Sequence, residues 1–138
     1  MMAEPVLVDT NVLVRFITGQ PPHLATKARK LVEKAQADEL LLIVAPLIVA
    51  ETVFTLESFY HLDRKEVAAK LGLLFKSRGF KLLEEEVVFD ALERHEAQNI
   101  SIADTYLAAL SVNLAYKVAS FDKDFDKLSG VTRYSVTS

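Results

Sequence analysis

Short apolar runs alternate along this chain with longer stretches in which apolar residues recur every three or four positions. Val6, Leu7 and Val8 form a continuous apolar run that stops at Asp9, the pattern of a strand buried on both faces. Asp9 or Thr10 is placed to cap a helix through Ile17, stopped by Gly19 and the Pro21–Pro22 pair. Leu24, Ala28, Leu31, Val32 and Ala35 keep helical spacing while Lys27, Arg29, Lys30 and Lys34 fill most other positions, predicting an amphipathic helix with a basic side. The run 41–45 predicts a second buried strand, and Pro46 suits the first position of a helix to about Tyr60. Asp63 and Glu66 have capping-box spacing and open a helix ending near Gly79.

The same pattern predicts a weaker strand over 80–83 and a helix over 85–98. Ser101 and Asp104 repeat the capping-box spacing ahead of Tyr106, Leu107, Leu110 and Leu114, the apolar positions of a further helix. Residues 117–121 read as a fourth strand running into Asp122, and 133–136 as a fifth. Strands alternating with amphipathic helices imply an α/β fold, a three-layer sandwich around a central parallel sheet. No repeat, linker or low-complexity segment divides the chain, so residues 1–138 are read as a single domain.

Composition removes many chemistries. The 138 residues contain no cysteine, which excludes disulfides, thiolate metal sites and cysteine nucleophiles. Gly19, Gly72, Gly79 and Gly130 are too scattered for a GxGxxG or P-loop motif. His23, His61 and His95 form no HExxH pair and read as surface or boundary residues, and no GxSxG elbow holds a serine. Phe54, Phe59, Phe75 and Phe89 read as core rather than as stacking platforms, and the Lys27 to Lys34 cluster as a solvated face. The apolar run 40–50 is interrupted by Pro46 and falls short of the roughly 20 residues a span needs. No basic segment precedes the first apolar run, so the expectation is a soluble, cytoplasmic protein without a membrane segment. The 19 acids against 16 bases, a net charge of −3, argue against a generally basic nucleic-acid coat.

The position of the acids changes that picture. In open parallel sheets, ligands bind at the carboxyl ends of strands, near the point where strand order reverses. Asp9 ends the first predicted strand, Asp122 ends the fourth, Glu51 lies about one and a half turns into the helix after the second, and Asp104 opens the helix leading to the fourth. Four carboxylates on one rim need a counter-charge, which a hard cation such as Mg²⁺ or Mn²⁺ supplies through oxygen ligation. Each acid also has a local explanation: Asp9 and Asp122 as caps, Asp104 as the partner of Ser101, and Glu51 on a solvated stripe with Thr55 and Ser58.

The segments VLVDTNVLVRF, APLIVAETVFTLE, SIADTYLAALS and VASFDKDFDKL, in this order, resemble the PIN-domain ribonucleases, and most closely the VapC-like toxins of type II toxin–antitoxin modules. The resemblance implies a PIN-like, Rossmann-like sheet of order 3-2-1-4-5. It also implies a Mg²⁺ site of Asp9, Glu51, Asp104 and Asp122, with Mn²⁺ as a substitute. In that site Asp9 and Asp104 are the principal ligands, Glu51 orients metal or water, and Asp122 is the fourth ligand. Asn11 borders the site, Ser120 supports it, and Asp124 competes for the fourth position. The implied activity is that of an endoribonuclease that hydrolyses RNA to leave a 5′-phosphate and a 3′-hydroxyl, inhibits translation, forms a homodimer and is blocked by a cognate antitoxin. The apolar helices 46–60 and 63–78, with Val53, Phe54, Leu56, Phe59 and Tyr60, are the expected docking surface for that partner.

Two rival readings stand beside this one. A phosphatase with Asp9 as covalent nucleophile wants a second Asp at position 11, where this chain has Asn. A non-catalytic PIN-like scaffold would bind RNA or protein without cutting. Setting aside the four site acids leaves 15 acids against 16 bases, so the net acidity is concentrated in the proposed site.

Overall fold

The structure, a computed structural model, describes residues 2–136. Its first half runs β1 (Glu4–Leu7), α1 (Thr10–Thr18), α2 (Pro22–Gln36), β2 (Leu40–Val44), α3 (Pro46–Ser58) and α4 (Arg64–Lys76). The second half follows with β3 (Phe80–Leu82), α5 (Glu85–Ala97), α6 (Ile102–Leu114), β4 (Val118–Ser120), a 3₁₀ turn (Lys123–Lys127) and β5 (Arg133–Ser135). The local signals act as their chemistry requires. Asp9 accepts the Thr10 N–H at 2.8 Å, Asp63 accepts those of Lys65 and Glu66, and Ser101 Oγ accepts that of Asp104 at 3.2 Å. Gly19 closes α1 at φ +70°, donating its N–H to the Arg15 carbonyl, and prolines open α2 and α3.

All strand pairs are parallel. β1 pairs with β2 from Glu4 opposite Leu40 to Leu7 opposite Ile43, and β2 pairs with β3 from Leu42 opposite Phe80. β4 pairs with β5, Val118 opposite Arg133. The expected order 3-2-1-4-5 is therefore present in two parts, 3-2-1 and 4-5, and among the described residues no ladder joins β1 to β4. β1 lies at the outer edge of its ladder. Leu7 is 74% exposed, where the apolar pattern predicts a strand buried on both faces, and Val8 is the residue of that run that enters the core.

The apolar interior is divided in the same way. The main cluster gathers Leu13, Leu42, Val44, Val53, Leu56, Leu71 and Leu92 with Ile102 and Ala109 of α6. A smaller cluster packs Ile100, Val118, Phe125 and Leu128 against Ala108 of the same helix. α6 is thus the shared wall between them. Gly79, just before β3, adopts φ +93° with its Cα against the Ala35 backbone at the end of α2.

Two expectations about side chains need correction. His95 is buried, not a boundary residue: Nε2 lies 2.6 Å from Glu57 Oε2 and Nδ1 lies 2.7 Å from the Ile100 carbonyl. Both ring nitrogens have acceptors, so α5 is tied to α3 and to the loop before α6 without leaving a buried polar orphan. Phe75 is core and Phe89 packs at its margin, but Phe54 is 66% exposed and Phe59 is 74% exposed. The buried face of α3 is built from Val49, Thr52, Val53 and Leu56, which turns Phe54 outward.

Candidate functional site

The four acids predicted from sequence lie on or beside α1, α3, α6 and the 3₁₀ turn. Asp9 follows β1 and Val8 and caps α1, and its Oδ1 is held by the Thr10 amide. Glu51 is exposed on the second turn of α3. Asp104 is half-buried in the first turn of α6, where the helix dipole favours a negative charge. α3 packs on both α1 and α6, so the helices bearing Asp9, Glu51 and Asp104 are neighbours. Asp122 follows β4, receives the Asp124 N–H on Oδ1 at 2.8 Å, and donates its own N–H to Ser120 Oγ at 2.9 Å.

The local capping explanations for Asp9 and Asp122 are therefore correct in part: each spends one carboxylate oxygen on a helix start. Ser101 caps α6 with its hydroxyl. Asn11 is exposed on the first turn of α1, and Ser120 fixes the Asp122 backbone. Among the described residues no three Asp, Glu or His side chains close around a common point as a metal-binding group.

The donor chemistry fits a hard divalent ion all the same. Among the described residues, the ion pairs join Lys70–Glu66, Arg78–Asp38, Arg94–Asp90, His95–Glu57, Lys127–Asp124 and Arg133–Asp126. None of the four candidate acids has a basic partner in that set. All-oxygen donors without internal counter-charge are what Mg²⁺ or Mn²⁺ prefers. Beside Asp9, the buried Thr10 Oγ1 has no hydrogen-bond partner among the described residues.

Ion pairing also separates Asp122 from its neighbours. Lys127 holds Asp124 at 3.1 Å, and Arg133 grips both oxygens of Asp126 at 3.1 and 3.3 Å. The remaining Arg133 nitrogen donates to the Ser120 carbonyl at 3.2 Å, tying β5 to the strand end that presents Asp122. Sequence patterns alone do not reveal this tie, because Arg133 and Ser120 are 13 residues apart and meet only through the β4–β5 pairing.

α6 is anchored from its other side by Tyr106, whose hydroxyl donates to Glu84 Oε1 at 2.8 Å. Burial, helped by that bond and the adjacent charge, pushes the Tyr106 phenol up to about 12. Folding thus favours its neutral form, with the contribution complete below the ordinary tyrosine value near 10 and lost as pH rises towards 12. Stability of the native chain should decline through that alkaline window, and Tyr106→Phe should flatten the decline; chemical denaturation between pH 8 and 11 measures both.

Comparison with known proteins adds to this geometry. No helix of the described residues is long and apolar enough to cross a membrane. A protein of Aquifex aeolicus (strain VF5) described as a VapC ribonuclease is 24% identical over 123 residues, covering 88% of this chain and 90% of that protein. The family model for the PIN domain matches residues 6–131, nearly the entire length, and the chain belongs to the PIN domain family.

Proposed function

We propose that this protein is a divalent-metal-dependent endoribonuclease, the toxin of a toxin–antitoxin pair that acts in the cytoplasm and inhibits translation by cutting RNA. The observation that carries the reading is the placement of Asp9 and Asp122 after strand ends, Asp104 in the first turn of α6 and Glu51 on the second turn of α3, none with a basic partner among the described residues. The similarity to a protein described as a VapC ribonuclease supports the same reading.

Asp9 and Asp104 are the residues to hold Mg²⁺, or Mn²⁺ in its place, with Asp122 as the fourth acid. A bound divalent ion supplies a Lewis acid for the phosphodiester oxygen and lowers the pKa of a water. Glu51, exposed and unpaired, orients the attacking water and accepts its proton. Asn11 presents its amide at the rim, and Ser120 holds the backbone of Asp122 in place. Hydrolysis of this kind leaves a 5′-phosphate and a 3′-hydroxyl.

Leu47, Phe54 and Phe59 are exposed on and just after α3. They support contact with an antitoxin segment and a second copy of the chain, because exposed large apolar side chains mark interaction surfaces when grouped. The docking surface expected from sequence is narrowed accordingly, since Val53 and Leu56 are buried and Tyr60 is half-buried.

Incubation of purified protein with total RNA tests the activity. Cleavage should appear with Mg²⁺ or Mn²⁺, stop on addition of EDTA, and map to ends carrying 5′-phosphate. Cleavage that persists in EDTA would overturn the metal-dependent reading. RNA binding without cleavage under every metal would establish the non-catalytic scaffold in its place.

A further inference from the structure

α1 and α2 enclose a groove of about 350 Å³ that begins at Asn11, two residues from Asp9. Its walls are Val12, Leu24, Ala28 and Leu31, and its charged members are Arg15 and Lys27, both cationic. No acid lines it. Arg15 donates through Nη1 to the Tyr60 hydroxyl at 3.2 Å and to the Gln20 carbonyl at 3.5 Å, while its buried Nε has no acceptor among the described residues. Among the described residues no carboxylate pairs with it.

The charge continues along α2. Lys27, Lys30 and Lys34 follow at three- and four-residue intervals, the spacing of one helix flank, and each is exposed. Leu24 and Leu31 lie next to that flank, so the lysines adjoin the groove. None of the three lysines belongs to an ion pair among the described residues. A protein with net charge −3 thus keeps a row of uncompensated cations beside an apolar trough leading to the candidate site.

We infer that the α1–α2 groove is the seat of the RNA strand, with Arg15 and the Lys27–Lys30–Lys34 flank taking backbone phosphates and the apolar wall receiving a base. This rests on the ribonuclease reading for the identity of the polyanion. The charge pattern is complementary to a phosphate backbone, and an apolar wall between cations matches the alternation of base and phosphate in a single strand.

The test is fluorescence anisotropy with a labelled single-stranded RNA in EDTA, where binding is read apart from cleavage, over a series of salt concentrations. Lys27→Ala and Lys34→Ala should each weaken binding about fivefold at 0.1 M salt and each lower the slope of log K against log salt by about 0.7. Lys81→Ala, exposed on β3 and not among the residues that line the groove, should leave affinity and slope unchanged. Tyr60→Phe removes a structural partner of Arg15 while keeping the guanidinium, and should leave the slope unchanged as well.

A Lys27→Ala/Lys34→Ala double variant that binds with the wild-type slope would overturn the inference and leave the groove to a protein partner. Cleavage by the wild-type chain is scored separately with Mn²⁺. Groove-dependent binding without cleavage sinks the catalytic reading alone, and cleavage with groove-independent binding sinks this inference alone.

Discussion

Asp9→Asn should abolish most RNA cleavage, lowering the rate by about 10² to 10³-fold or more, while leaving the fold intact. Under the proposed function the substitution removes the negative charge that would make the side chain a ligand for a hard cation, but it keeps an oxygen for the cap. Asp9 holds the Thr10 amide at 2.8 Å through Oδ1 alone, and Asn caps a helix about as well as Asp. The thermal midpoint without added metal should therefore move little. Cleavage rate and midpoint measured on the same preparation decide the matter. Retained cleavage would remove Asp9 from the catalytic set, and a lost fold would show that the cap, not the charge, was its main contribution.

Gly79→Ala should be among the most destabilising single substitutions in the chain, costing about 3 to 5 kcal/mol. Two penalties act together. At φ +93° any side chain brings backbone strain, and the added Cβ would sit 2.6 Å from Ala35 C, Cβ and O. Those Ala35 atoms close α2 and have no flexible end to move aside. Relief would have to shift the strand entry itself, where the Gly79 carbonyl receives the Leu42 amide at 2.7 Å. Gly72→Ala is the counterpart: it lies inside α4 with nothing within 4 Å of the new Cβ. That change should be neutral or stabilise by up to about 1 kcal/mol through helix propensity. Urea titration of the pair checks the contrast, and equal effects at the two glycines would refute the close-approach argument.

The parts of the fold that were legible in sequence are those written in local chemistry. Asp9, Asp63 and Ser101 cap helices because their oxygens reach amides within three residues, a geometry that neighbouring positions determine by themselves. The candidate acids drew notice for a related reason, since Asp9 and Asp122 follow strand ends, Asp104 stands in the first turn of α6 and Glu51 on the second turn of α3. What sequence left open is what distant segments bring. His95 had a local signal, lying on the buried row of Val88, Ala91 and Leu92 at helical intervals, but its partner Glu57 is 38 residues away. Arg133 shows no motif, and its grip on Asp126 and Ser120 follows from the pairing of β4 with β5. Phe54 and Leu7 are apolar by composition and exposed because, among the described residues, no other element covers them.

The division of the interior across α6 has a thermodynamic meaning. Asp9 and Glu51 belong to the part built on β1, β2 and β3, Asp122 belongs to the part built on β4 and β5, and Asp104 rides on the helix that both parts share. Under the proposed function, a cation bound by acids from both parts would act as a clasp between them, in addition to any role in chemistry. Saturation at a hundred times the dissociation constant would add about 2.7 kcal/mol to the cohesion of the native state. Under that reading the same four charges would also couple ion concentration to the integrity of the molecule.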